Sequence, residues 1–88
     1  NNYYLYIENT TSINIDLFKK NRKITIIYRN NGNVENFTKL RIFRQKCKLK
    51  NFKFYIANDY NLVISCKADG LYLSSYNKKI YSRLLNNL

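Results

Sequence analysis

The stretch FKFYIANDYNLVISCKADGLYL, residues 52–73, decides the fold class. FKFYIA (52–57) is apolar and aromatic, has strand length, and stops at Asn58-Asp59. YNLVISCKA (60–68) reads as a short apolar helix, Ala68-Asp69-Gly70 as a turn, and LYLSS (71–75) as another strand. Strand, helix and strand in such close succession predict parallel strands joined by a right-handed crossover.

The same alternation extends in both directions. Upstream, YYLYIE (3–8) predicts a strand, and 13–21 a short helix with Ile13, Leu17 and Phe18 inward after Ser12 as cap. KITIIYR (23–29) is β-branched and nearly continuous, the pattern of a strand buried on both faces. RNNGN (29–33) is a loop with Asn33 as the expected cap of a helix over 34–50. Val34, Phe37, Leu40, Phe43 and Cys47 form the apolar stripe of that helix, flanked by Lys39, Arg41, Arg44, Lys46 and Lys48. Downstream, NKKIYSRLLNNL (77–88) predicts a closing helix with Ile80, Leu84, Leu85 and Leu88 inward. The fold class is therefore α/β, with four β/α units and parallel strands over a single domain, 1–88. Four units are half of a TIM-type (β/α)8 barrel, so the chain is expected to be a fragment, with its first and fourth strands as unpaired edges. Those edges are the expected route of any self-association.

Composition excludes several function classes. With no His in the 88 residues and no paired cysteines at close spacing, zinc-finger spacings and His-based triads are ruled out. Cys47 and Cys66 are expected to be buried, reduced thiols of a cytoplasmic protein. No apolar run is long enough to span a membrane, and the amino terminus lacks the features of a secretory signal. Sixteen basic residues against five acidic ones give a net charge of +11. That charge has two readings: nucleic-acid or phosphate partners, or a composition of Asn, Lys, Ile and Tyr imposed by AT-rich codons.

Chemistry in parallel α/β folds gathers at the carboxyl ends of the strands. Here those ends carry Glu8-Asn9, Arg29-Asn30-Asn31, Asn58-Asp59 and residues 74–77. One guanidinium, several amides and hydroxyls, and two carboxylates suit a phosphate group with a divalent ion. Polar caps at strand-to-helix loops are the plainer account of the same residues. Asp69 sits at the opposite end, in the turn before the fourth strand, and is expected to serve folding.

Four stretches carry a family likeness: YYLYIEN (3–9), IYRNN (27–31), IAND (56–59) and ADGLYLSS (68–75). With them the chain resembles the amino-terminal half of thiamine phosphate synthase and its TenI-like relatives. That family couples hydroxymethylpyrimidine diphosphate to hydroxyethylthiazole phosphate with release of diphosphate. The resemblance implies that Arg29 contacts the diphosphate in the catalytic role, and that Asn31, Asn58 and Ser75 bind substrate. It implies Mg²⁺ on Asp59 and Asn77, with phosphorylated small molecules as partners. The chain departs from the family pattern at Ile27 (Gln), Asn31 (Lys), Tyr72 (His), Ser74-Ser75 (Gly-Gln) and Asn77 (acid). A non-catalytic TenI-like phosphate-ligand module is the first alternative. A small basic nucleic-acid-binding protein is the second; against it, the Tyr residues are expected within strands rather than on an exposed platform.

Overall fold

The computed structural model describes residues 2–32 and 35–74. The elements run β1 (Tyr3–Ile7), a 3-10 turn (Ile15–Leu17), β2 (Ile24–Tyr28), α1 (Phe37–Leu49), β3 (Lys53–Ala57), α2 (Tyr60–Cys66) and β4 (Gly70–Tyr72). The strands form one parallel sheet in the order β1-β2-β3-β4. The expected closing helix and the residues at 33 and 34 lie outside the described residues.

The first connection departs from expectation. Instead of a helix over 13–21 there is a single 3-10 turn, capped by Asn14 rather than Ser12. Asn, Thr and Ser side chains take over the backbone here. Asn9 Oδ1 accepts from the Thr11 N–H and from the Thr11 and Ser12 hydroxyls, and Asn14 Oδ1 accepts from the Asp16 N–H. Such local bonds compete with helix formation. Consequently Ile15 is buried, while Leu17, expected inward, is 81% exposed. Helix α1 also starts later than expected, because Asn36 Oδ1 caps it by accepting from the Thr38 N–H at 2.7 Å.

Right-handed crossovers in sequential strand order put every connection on one face of the sheet. The packing shows this directly. Ile26, Tyr28, Phe54 and Ile56 alternate along β2 and β3 and join Leu40, Phe43 and Cys47 of α1 and Val63 and Cys66 of α2 in one core. Phe54 sits at its centre, with ring centroids 5.5 Å from Phe43 and 6.3 Å from Tyr28. The opposite face carries Tyr4, Tyr6, Thr25, Ile27, Lys53, Tyr55 and Tyr72. β2 is buried on both sides, as its continuous apolar run predicts: Ile27 is 2% exposed yet lies outside the main core.

Tyrosines cover Ile27. Tyr6 and Tyr72 belong to the outer strands, about 14 Å apart across a flat sheet. Their rings nonetheless meet edge to face at 5.9 Å, so the two outer strands converge through their side chains over this face. Tyr55 lies against β4, where a Cβ at Gly70 would come 3.2 Å from its Cε1.

At the amino end of β3 and β4, Asp69 holds the sheet together. Its Oδ2 accepts from the Phe54 N–H at 2.7 Å, and its own N–H donates to the Phe54 carbonyl at 2.8 Å. Arg44 of α1 completes the clamp, donating from Nη2 to Asp69 Oδ1 at 3.0 Å and from Nε to the Lys67 carbonyl at 2.8 Å. Asp69→Ala leaves the Phe54 N–H and a mostly buried Arg44 without their acceptor, and is expected to cost about 2 kcal/mol in urea unfolding. Asp69→Asn keeps an oxygen for Phe54 and is expected to lose about half of that. Equal stability of wild type and Asp69→Ala would remove the clamp from the account.

Candidate functional site

The carboxyl ends of β2 and β3 form two adjoining concavities that share Asn30. The smaller, about 310 Å³, is lined by Tyr6, Ile7, Glu8, Arg29, Asn30 and Asn31. The larger, about 380 Å³, lies between the strand ends and the first turns of α1 and α2, with Tyr28, Leu40, Ile56 and Leu62 as apolar walls and Glu35 and Asp59 as its acids.

Arg29 follows β2 on the face away from the helices and is exposed. Its backbone N–H is fixed by the Ile7 carbonyl at 2.7 Å, while its guanidinium makes no ion pair among the described residues. Asn31, expected beside it, is there, but its Nδ2 donates to Glu8 Oε2 at 3.2 Å. Asn58 adopts the left-handed conformation at φ 60°, which Asn tolerates. Its Oδ1 accepts from the Ser74 N–H at 3.0 Å and its own N–H donates to the Tyr72 carbonyl at 2.8 Å, so Asn58 stitches β3 to the end of β4. Asp59 caps α2: its Oδ1 accepts from the Leu62 N–H at 3.0 Å. Ser75 and Asn77 lie outside the described residues.

The strand ends thus bring Arg29 and Asn31 into one concavity and place Asp59 in the next. For Mg²⁺, Asp59 is one carboxylate with one oxygen already capping a helix. Among the described residues no cluster of three acidic, Cys or His side chains could hold a metal. An ion at Asp59 would need phosphate oxygens of a ligand to complete its shell.

Glu35 is absent from the residues read off the sequence, yet it is the most heavily bonded acid of the site. Oε1 accepts from the Thr10 N–H at 2.8 Å and the Tyr28 hydroxyl at 2.9 Å, and Oε2 accepts from the Thr10 hydroxyl at 2.7 Å. Burial pushes its pKa up, but the bonds from Thr10 and Tyr28, with nearby Lys39, outweigh burial and leave it below the ordinary value. Tyr28 moves the other way, raised by burial and by its bond to Glu35. A signal for this pair exists in the sequence: a tyrosine at the buried end of a strand requires a partner for its hydroxyl. Elsewhere, burial raises the Cys47 thiol to about 12, and burial likewise raises Cys66. Both are free and buried, which removes them as nucleophiles.

The chain matches no protein-family model, no curated protein and no solved structure. Among the described residues no helix is long and apolar enough to cross a membrane.

The Glu35 shift has a consequence for acid stability. A folded-state pKa below the ordinary glutamate value gives stabilisation that is fully present above that value, about 4.3, and lost as pH falls through the folded value. Urea midpoints of wild type and Glu35→Gln are therefore expected to differ near neutrality and to converge as pH drops below about 4. A constant difference at all pH values would show that the carboxylate charge contributes nothing.

Proposed function

We propose that the carboxyl edge of the sheet binds a phosphorylated small molecule, with Arg29 as the anion-binding residue. One observation carries the reading: an exposed guanidinium with no ion pair among the described residues, set in a concavity whose acid, Glu8, accepts from Asn31 Nδ2. A planar fork of donors is the arrangement that binds phosphate oxygens.

In its fuller form the proposal is a cytoplasmic thiamine phosphate synthase-like transferase, the chain being the first half of a (β/α)8 barrel. Sequential strand order with one-sided crossovers supports that fold reading. Arg29 would neutralise the leaving diphosphate, and Asp59 would hold Mg²⁺, which supplies charge stabilisation when bound. Three features favour binding over turnover: Asn31 replaces a cation and is spent on Glu8, Asn58 is spent on Ser74, and Asp59 is partly spent on its helix. The non-catalytic phosphate-ligand module is therefore the form the geometry supports best.

Isothermal titration with hydroxymethylpyrimidine diphosphate and Mg²⁺ tests this. Arg29→Ala is expected to weaken binding about 10- to 100-fold, the loss of a charge-assisted contact worth about 1.5–3 kcal/mol. Asp59→Asn is expected to reduce the Mg²⁺ dependence alone. Unchanged affinity in Arg29→Ala would sink the reading.

A second reading, a nucleic-acid partner, gains from the open sheet face. The strand tyrosines, expected to be hidden, include Tyr4 at 57% and Tyr6 at 58% exposure, with Arg29 and Lys53 on the same face. Exposed rings beside cations suit stacked bases and backbone phosphates. Anisotropy of a labelled oligothymidylate should then fall sharply with Tyr6→Ala. Binding that ignores this substitution and disappears at moderate salt would be charge alone.

A further inference from the structure

We infer that Glu35 is a positioning residue for the Arg29 site, holding the connection from β2 to α1 in the shape that presents residues 29–32. The inference rests on the reading of Arg29 as the anion-binding residue and deepens it by naming what fixes the site.

The connection leaves β2 after Tyr28 and enters α1 at Phe37, with Glu35 near its far end. The Tyr28 hydroxyl, at the near end, donates to Glu35 Oε1 at 2.9 Å. One carboxylate therefore ties the end of β2 to the residues that lead into α1. The same carboxylate takes both Thr10 donors, at 2.8 and 2.7 Å, which anchors the connection to the neighbouring loop after β1. From the tie, bonds run on into the site. Asn30 Nδ2 reaches the Tyr28 hydroxyl at 3.5 Å, and Asn30 Oδ1 accepts from the Gly32 N–H at 2.6 Å. Asn30 lines both concavities, and Arg29 precedes it.

Glu35 does not line the Arg29 concavity, so its effect there is indirect. Without it, residues 30–32 lose their tie through the Tyr28 hydroxyl to Glu35 and Thr10, and their conformers multiply. A ligand would then bind only the fraction of molecules in the competent shape, and the apparent affinity falls by that fraction.

Two measurements on the whole chain test this. In the ligand-free protein, Glu35→Ala is expected to speed amide exchange at Gly32, whose N–H donates to Asn30 Oδ1, by about tenfold relative to Ile26 and Phe54 in the sheet. Glu35→Gln keeps an acceptor for Tyr28 and Thr10 and is expected to restore most of the protection. In titrations with inorganic pyrophosphate and Mg²⁺, Glu35→Ala is expected to weaken binding about tenfold at temperatures where it is fully folded. Thr10→Val, which removes one donor, gives a smaller local effect and serves if Glu35→Ala does not fold. Exchange that rises evenly over the sheet, or stays unchanged at Gly32, overturns the inference. Failure of the wild type to bind pyrophosphate overturns the reading of Arg29 instead, and the exchange result still decides the role of Glu35.

Discussion

Everything in this protein depends on the connections lying on one side of the sheet. Sequential strands joined by right-handed crossovers leave no other arrangement. One face of β2 and β3 is therefore pressed against α1 and α2, and the chain builds a single core around Phe54. A domain this small has little apolar surface to spare. The Asp69 clamp matters for that reason: it fixes the amino ends of β3 and β4 and ties them to α1 through Arg44, at the end of the sheet remote from the strand-to-helix loops. Stability chemistry at one end and exposed polar groups at the other is the division that parallel α/β folds impose.

The other face carries the consequence of the same constraint. With no helix over it among the described residues, Ile27 is buried between Tyr6 and Tyr55, its partners in register on the adjoining strands. Tyrosine serves here because its ring can shelter an aliphatic neighbour while its hydroxyl stays in water. The layers inside a closed β/α barrel are dominated by branched aliphatics. Tyr4, Tyr6, Tyr55 and Tyr72 with Lys53 make a more polar surface than that, suited to contact with solvent or a ligand.

Much of this was legible in the sequence, and the failures have physical causes. The strands and the α1 stripe were readable because period-two and helical patterns are strong in LYI, ITIIY and FKFYIA and in Leu40, Phe43 and Cys47. The segment 13–21 misled because apolar spacing ignores what Asn9, Asn14, Thr11 and Ser12 do to the backbone. Exposure of the strand tyrosines could not be read from alternation, since that requires knowing which face the crossovers cover. At the site, position along the strands located Arg29, Asn58 and Asp59. It could not show that Asn58 and Asn31 spend their polar groups on Ser74 and Glu8, because those partners are distant in sequence. Glu35 was missed because it lies beyond the strand end, while its partner Thr10 belongs to a different loop.

The two concavities differ in charge, since Glu8 balances Arg29 in the smaller while the charged groups lining the larger are Glu35 and Asp59, and that difference constrains any ligand spanning them. Glu35 and Asp59 line the larger one, and no Lys or Arg lines it with them. Glu35 is held ionised by its donors, so this cavity repels phosphate at neutral pH. Arg29 lies in the smaller one, beyond Asn30. A phosphorylated ligand must therefore place its anion at Arg29 and turn an apolar or cationic part toward Leu40, Ile56 and Leu62. A divalent ion at Asp59 would reverse that preference by cancelling the local charge and offering the phosphate a second attachment. On the proposed reading, the charge at Asp59 would decide whether the edge acts as one site or two, and Asn30 lines both concavities.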